Sequence, residues 1–328
     1  MNSQCISRRH ALQQFAAGAG SLTLWGASVS AGAEAKPTGD KTPSTVRDRL
    51  WVWAHALGSY DNAWGLPGNS RLTPVEGARY LGVPNIILIR YEGKPAPPFE
   101  DYAVPFQSLT RVFWSIAGAG GATSQEEREH VFRLAAKQPN IVGLFMDDFF
   151  HIDKAQAEAS STYPNFDPQT VLRADAPDPR PAAAALSPEQ LRAVRQRLQI
   201  GQRRLDLGVT LYTHQLSPRI LPHLDLCDVV SLWTWNARDL RDLEANFAKF
   251  RQLAPSKRVL LGCYMWDFGT QQPMPLDLMK KQTELGLQWL RAGQVEGLIF
   301  LATNICDLKL ETVEWTRKWI ADVGDQPL

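Results

Sequence analysis

The chain has 328 residues, and its 35 Lys and Arg against 34 Asp and Glu leave a net charge of +1. With no basic run, this balance argues against a nucleic-acid or polyanion partner. Four cysteines, no C-x-x-C and no H-x-x-x-H argue against a disulfide framework or a zinc motif, and leave Cys227, Cys263 and Cys306 as expected buried thiols.

Taken in chain order, Ser7-Arg8-Arg9-His10-Ala11-Leu12 resembles a twin-arginine export signal. A small-residue apolar stretch, 16–31, and the A-x-A site Ala33-Glu34-Ala35 follow it. The resemblance implies a cleaved signal over 1–35, the twin-arginine export machinery as a partner, folding before transport, and work in the periplasm or outside the cell. No second stretch is long enough to span a membrane. Residues 36–46 read as a linker, and 47–328 as a single domain.

Leu50–His55 predicts a first strand, followed by a loop to Leu72 rich in Gly, Asn and aromatics. Thr73-Pro74-Val75-Glu76 predicts a helix start, with Thr73 capping and Glu76 completing a capping box. Asn85–Glu92 and Arg111–Ile116 predict strands two and three, with a proline-rich connection between them. Gly118–Gly121 is a glycine-rich turn, and Ser124 caps a helix to about Lys137. Ile141–Phe150 is apolar for six residues and then carries Asp147 and Asp148, the pattern of a strand buried on both faces that ends in acids. Residues 151–186 form an insertion too long for an ordinary loop, suited to a lid or substrate wall.

Ser187–Gln190 starts an amphipathic helix expected to reach about Asp206. Leu207–His214, Asp228–Trp233, Arg258–Trp266 and Gln294–Ala302 predict strands five to eight. Helices are expected over Ala237–Leu253, Pro275–Ala292 and Leu310–Val323. Eight strands alternating with helices in about 280 residues predict an α/β fold, a (β/α)8 TIM barrel with a long insertion after strand four. No G-x-G-x-x-G or P-loop supports a nucleotide fold.

Strand side chains alternate, and turning the small or polar members inward gives one set per strand. The set is Trp53 and His55; Arg90 and Glu92; Phe113 and Ser115; Gly143, Phe145 and Asp147; Thr210, Tyr212 and His214; Ser231, Trp233 and Trp235; Gly262, Tyr264 and Trp266; Phe300, Ala302 and Asn304. The polar member falls mostly at the C-terminal mouth, where barrels carry their chemistry. Asp147, Asp148, Asp267 and Glu92 are the candidate catalytic carboxylates. Asp147 and Asp148, being adjacent, are expected to point apart, so that the partner acid comes from another strand. His55, Arg90, His214, Trp233, Trp235, Asn236, Tyr264, Trp266 and Asn304 are the candidate substrate-binding residues. Acids between aromatic walls suit carbohydrate chemistry, since ring faces stack on sugar C–H faces and carboxylates serve as acid, base or nucleophile.

The domain resembles the superfamily of TIM-barrel glycoside hydrolases. The resemblance rests on Gly143-Leu144-Phe145-Met146-Asp147-Asp148, Trp233-Thr234-Trp235-Asn236 and Tyr264-Met265-Trp266-Asp267. It implies an oligosaccharide or glycoside substrate, hydrolysis by carboxylates, and no cofactor. Asp147 stands where enzymes resembling α-galactosidases place a nucleophile. The D-x-x-D-x-D-x-E pattern of chitinases and the Asn-Glu pair of many retaining glycosidases are absent. Two alternatives stay open. One is a metal-dependent sugar isomerase or metallohydrolase, holding a divalent ion between the histidines and acids. The other is a non-catalytic carbohydrate-binding barrel.

Overall fold

The computed structural model describes residues 44–150 and 182–328. The expected signal peptide, most of the expected linker and most of the insertion after strand four lie outside those residues. Eight parallel strands close into a barrel: β1 (Leu50–Ala54), β2 (Asn85–Leu88), β3 (Arg111–Ala117), β4 (Ile141–Met146), β5 (Asp206–Tyr212), β6 (Val229–Trp233), β7 (Arg258–Tyr264) and β8 (Gly297–Leu301). Each pairs with its neighbours in sequence, and β1 closes the circle on β8. The fold is the expected (β/α)8 barrel.

Among the described residues, six helices of at least two turns pack outside: α1 (Pro74–Leu81), α2 (Gln125–Lys137), α3 (Pro188–Gln196), α4 (Leu243–Leu253), α5 (Leu276–Arg291) and α6 (Glu311–Val323). Thr73 and Glu76 form the predicted capping box on α1, and Ser187 and Gln190 form another on α3. α3 stops at Gln196, ten residues short of expectation, because Gly201 (φ 59°) turns the chain into a short hairpin, Gln199–Ile200 against Arg203–Arg204. The start of the domain also moves. Val46, expected in the linker, is fully buried, and its N–H donates to Gln326 O at 2.9 Å. No described helix is long and apolar enough to cross a membrane.

The barrel interior is an aromatic column. Trp51 meets Phe113 (5.2 Å between centroids), Phe113 meets Phe145 (5.5 Å), Phe145 meets Trp53 (5.6 Å), and Trp53 meets Trp233 (5.3 Å). Glycines on adjoining strands make the room. A Cβ on Gly143 would lie 2.1 Å from the Phe113 ring, one on Gly208 2.4 Å from Phe145, and one on Gly262 2.1 Å from Trp233. Large and small residues thus interlock around the barrel, as dense packing requires. Trp233 Nε1–H donates to Ser231 Oγ at 2.8 Å, which satisfies the indole at the centre.

Register settles which residues face inward, since paired residues of parallel neighbours share a face. Trp53 lies beside Ile87 on β2 and Leu301 on β8. The inward members are therefore Ile87 and Leu301, not Arg90 and Phe300 as expected. Phe300 packs outward on Trp319 of α6 (6.0 Å). β8 is apolar throughout and β2 is apolar after Asn85, so polarity gave little guide to parity. Cys227, Cys263 and Cys306 are free and buried, and burial pushes the Cys227 thiol up to about 12.

Candidate active site

At the C-terminal mouth lies a cavity of about 610 Å³. Its floor comes from the strands, through Trp53, Thr210, Trp233, Tyr264 and Leu301; its walls come from the loops, through Tyr60, Trp64, Tyr91 and Phe268. Asp147 and Asp148 both open onto it.

Asp147 continues the inward parity of Gly143 and Phe145. Its N–H donates to Ala117 O at 2.9 Å, so the strand holds it at the last rung. Its side chain is buried. Burial first, and the neighbouring Asp148 second, raise its pKa well above the ordinary carboxylate value, while a hydrogen bond with Thr210 pulls the other way. Asp148 follows in a left-handed backbone conformation (φ 43°). That turn swings its carboxylate back towards the mouth, so the two acids do not point apart as alternation alone predicts. Tyr212 Oη–H donates to Asp148 Oδ1 at 2.7 Å, and the Gly120 N–H donates to Oδ2 at 2.8 Å. The glycine-rich turn after β3 thus supplies a backbone donor, a role its sequence did not suggest.

Tyrosines surround the pair. Burial pushes Tyr60, Tyr212 and Tyr264 well above the usual phenol value, and the charges of Asp147 and Asp148 push in the same direction. His55 lines the cavity, but both ring nitrogens are engaged. Nδ1 faces Ile89 O at 2.9 Å and so carries the proton, and Nε2 accepts from Trp53 Nε1–H at 3.2 Å. Burial lowers its pKa to about 4. His214 stacks on Tyr212 (5.4 Å, 5° between planes), and burial likewise lowers it to about 4. Trp233, Trp235 and Tyr264 also line the cavity as expected.

Six candidates do not line it. Arg90 points outward, pairing with Glu127 of α2 and donating to Pro95 O at 2.8 Å. Glu92 is exposed in a turn. Asp267 is buried but spent on the loop, accepting from Thr270 Oγ1–H at 2.6 Å and from the Ala237 N–H at 3.3 Å. Asn236 donates to Asp239 Oδ2 at 3.0 Å. Asn304 braces the end of β1, accepting the His55 N–H (3.2 Å) and donating to Ala56 O (3.0 Å). Trp266 Nε1–H donates to Trp64 O at 2.9 Å, so it fixes a cavity residue without facing the cavity. Among the described residues no group of three or more His, Cys, Asp or Glu is placed to hold a metal ion.

The fold has counterparts among solved structures. A Bacteroides thetaiotaomicron protein assigned as an alpha-L-fucosidase matches at a TM-score of 0.50, with 10% identity over 85% of this chain and 98% of that one. The PgaB glycoside hydrolase domain of Bordetella bronchiseptica matches at 0.47 (11% identity; 84% and 99%), and a family 18 chitinase of Crocus vernus at 0.45 (10%; 83% and 99%). The likeness is one of fold. No family model matches the chain, and no curated protein matches it in sequence.

Sequence reasoning passed over Tyr60, Trp64, Tyr91 and Phe268, which sit in loops where no periodicity marks a direction. One signal was available: the loop after β1 carries Tyr60 and Trp64 among glycines and asparagines, an unusual setting for large rings. Trp64 and Gln271 both line the cavity and both adopt the left-handed conformation (φ 59° and 56°), as Asp148 does. For bulky residues such backbone is costly, and it gathers at functional sites.

Proposed function

We propose that the protein is a glycoside hydrolase working from this cavity. The observation that carries the reading is the pair Asp147 and Asp148, side by side on one aromatic-walled cavity at the C-terminal mouth of the barrel. Asp147, whose pKa is raised, is the proton donor. It protonates the glycosidic oxygen as the bond from that oxygen to the anomeric carbon breaks. Asp148, held by Tyr212 and Gly120, faces the positive charge developing on the sugar ring and accepts a proton from the attacking water. The aromatic walls take the C–H faces of the sugar. Export by the twin-arginine route, carried by Arg8 and Arg9, belongs to the same reading and places the substrate outside the cytoplasm.

The test is turnover by the purified protein on aryl glycosides and natural oligosaccharides, with and without chelator, beside Asp147→Asn and Asp148→Asn. The expected result is cleavage that resists chelator and falls about 10²–10⁴-fold in Asp147→Asn. Activity lost to chelator and restored by one metal would replace this reading with the metal-dependent one. Silence across the panel, with sugar binding intact in both variants, would replace it with a binding barrel.

A further inference from the structure

Beneath Asp147 the aromatic column is interrupted by a short row of hydroxyls. The strand ladder sets the row out. Met146 pairs with Val209, so Asp147 comes level with Thr210, the next residue of β5. Thr210 in turn pairs with Ser231 of β6. Paired residues of parallel neighbours share a face, so all three point into the barrel, and all three are buried. Trp233, two residues on from Ser231, shares that face as well.

The hydrogen bonds in this row run one way. An indole N–H can only donate, so Ser231 Oγ is the acceptor in its 2.8 Å bond with Trp233 Nε1. The Ser231 hydrogen is then left to go on, and it reaches Thr210 Oγ1 at 3.5 Å. Thr210 has one hydrogen of its own, which it gives to the Asp147 carboxyl; the Asp148 N–H donates there too. Such bonding is not automatic for a hydroxyl in this interior. Ser115, inward on β3 and just as buried, has no partner for its Oγ among the described residues.

We infer that Thr210 and Ser231 are positioning residues for Asp147, acting through a line of hydrogen bonds donated from Trp233 to Ser231, from Ser231 to Thr210 and from Thr210 to the carboxyl. The inference rests on the hydrolase reading of Asp147 as proton donor and adds the means by which the barrel holds it ready. A hydroxyl that donates to a carboxyl favours its anion, the form left once the proton has gone to the glycosidic oxygen. Ser231 fixes the direction, because the hydrogen it points at Thr210 keeps Thr210 turned to donate. No proton travels along the line; each hydrogen stays on its own atom. The line offsets part of the burial that makes Asp147 hold its proton, so the proton is released in the step that breaks the bond.

Among the described residues, the other titratable groups around Asp147 are Asp148 beside it, His55 and His214 past the ends of β1 and β5, and Tyr60, Tyr91, Tyr212 and Tyr264. Burial holds both histidines at about 4 and pushes the four tyrosines above the usual phenol value, so neither set titrates across neutral pH.

The experiment titrates the full chain, labelled with carbon-13 at the aspartate carboxyls, by NMR; the Asp147 signal is the one missing from Asp147→Asn. Thr210→Val removes the hydroxyl and keeps the shape, and should raise the Asp147 midpoint by about one pH unit. Ser231→Ala should raise it by about half as much. Thr210→Ser, which keeps the hydroxyl, should restore the original midpoint, and Ser115→Ala should leave it in place. The same variants are then assayed on an oligosaccharide that turns over, where a poor leaving group makes proton donation limiting. The alkaline limb of kcat/KM should move up with the midpoint, because a general acid works protonated. Thr210→Val should lower kcat about threefold, and Ser231→Ala about twofold with KM unchanged, since Ser231 lies below the cavity. A midpoint that stays put in Thr210→Val, or that Ser231→Ala moves no more than Ser115→Ala does, overturns the inference and leaves the hydrolase reading intact. Midpoints that move as expected in a protein with no turnover on any glycoside overturn the hydrolase reading and leave the hydrogen-bonded line standing.

Discussion

At the N-terminal end of the barrel, Asp206, Asp228 and Glu296 each face an arginine, whereas at the C-terminal mouth Asp147 and Asp148 line one cavity side by side. Arg258 bridges Asp206 (2.8 Å) and Glu296 (2.7 Å). Asp228 takes Arg195 (3.2 Å) and Arg204 (3.0 Å), and also accepts the Leu207 N–H at 3.0 Å. Burial alone would raise the Asp228 pKa, but the Leu207 amide and the two guanidinium groups outweigh it and hold the group below the ordinary value. Asp147 is raised by the same burial, with a carboxylate for company instead of an arginine. One residue type in one fold is therefore driven in opposite directions. The paired end is built for stability; on the proposed reading, the acid pair at the mouth gives up stability for chemistry.

The sharpest way to break this comparison is at the mouth. Asp147→Asn should lower kcat/KM by about 10³-fold, or ~4 kcal/mol of transition-state stabilisation, without lowering Tm; steady-state kinetics beside a thermal melt check both halves. Between the two ends, Gly262→Ala drives a methyl into the Trp233 ring and should destabilise the barrel by ~3 kcal/mol, read from urea unfolding. At the paired end, Asp228→Ala leaves two arginines and the Leu207 N–H without their acceptor. It should lose ~2 kcal/mol of stability in the same urea assay and leave kcat unchanged.

Tyr212→Phe removes the hydroxyl that holds Asp148 and should lower kcat about tenfold, or ~1.4 kcal/mol, with the melting curve unmoved. The smallest effects are in pH dependence, where the two ends should differ in sign. Asp147 binds its proton more tightly folded than unfolded, so its contribution is full below its unfolded pKa of about 4 and fades as pH rises through the raised folded value. Asp147→Asn should therefore gain a few degrees of Tm at pH 7, and lose that gain near pH 4. Asp228 binds its proton less tightly folded, so its contribution is present above about 4 and is lost as pH falls through the lowered value. The deficit of Asp228→Asn should accordingly shrink below pH 4.

The eight strands and the parallel barrel were legible because buried parallel strands are continuous apolar runs, and because most of them are followed by helix-forming sequence. Their C-terminal ends were less so. The runs ending at Phe150, His214 and Trp266 overshoot strands that stop at Met146, Tyr212 and Tyr264. The overshoot has a physical source, since Asp147 at the last rung, and Asp148 and His214 just past the strands, all line the cavity. Asp147 was legible from parity. Asp148 was not, because its place depends on a left-handed turn that no pattern announces in an aspartate. Asp267 and Asn304 carry the right chemistry at strand ends but are consumed by loop hydrogen bonds, which only geometry reveals.

The closure of β1 on β8 sets a kinetic condition on how this molecule is made. Every other strand pair joins neighbours in sequence and can form as the chain lengthens. The last seam joins Leu50 to Leu298 and Trp53 to Leu301, across almost the whole domain. Until Leu301 is in place, two strand edges stay unpaired, and both are rich in the apolar residues that recruit other chains. The slow step of folding should be this seam, because loop closure over such a separation comes before any contact rewards it. A nascent chain halted before β8 is thus an open sheet exposed to aggregation.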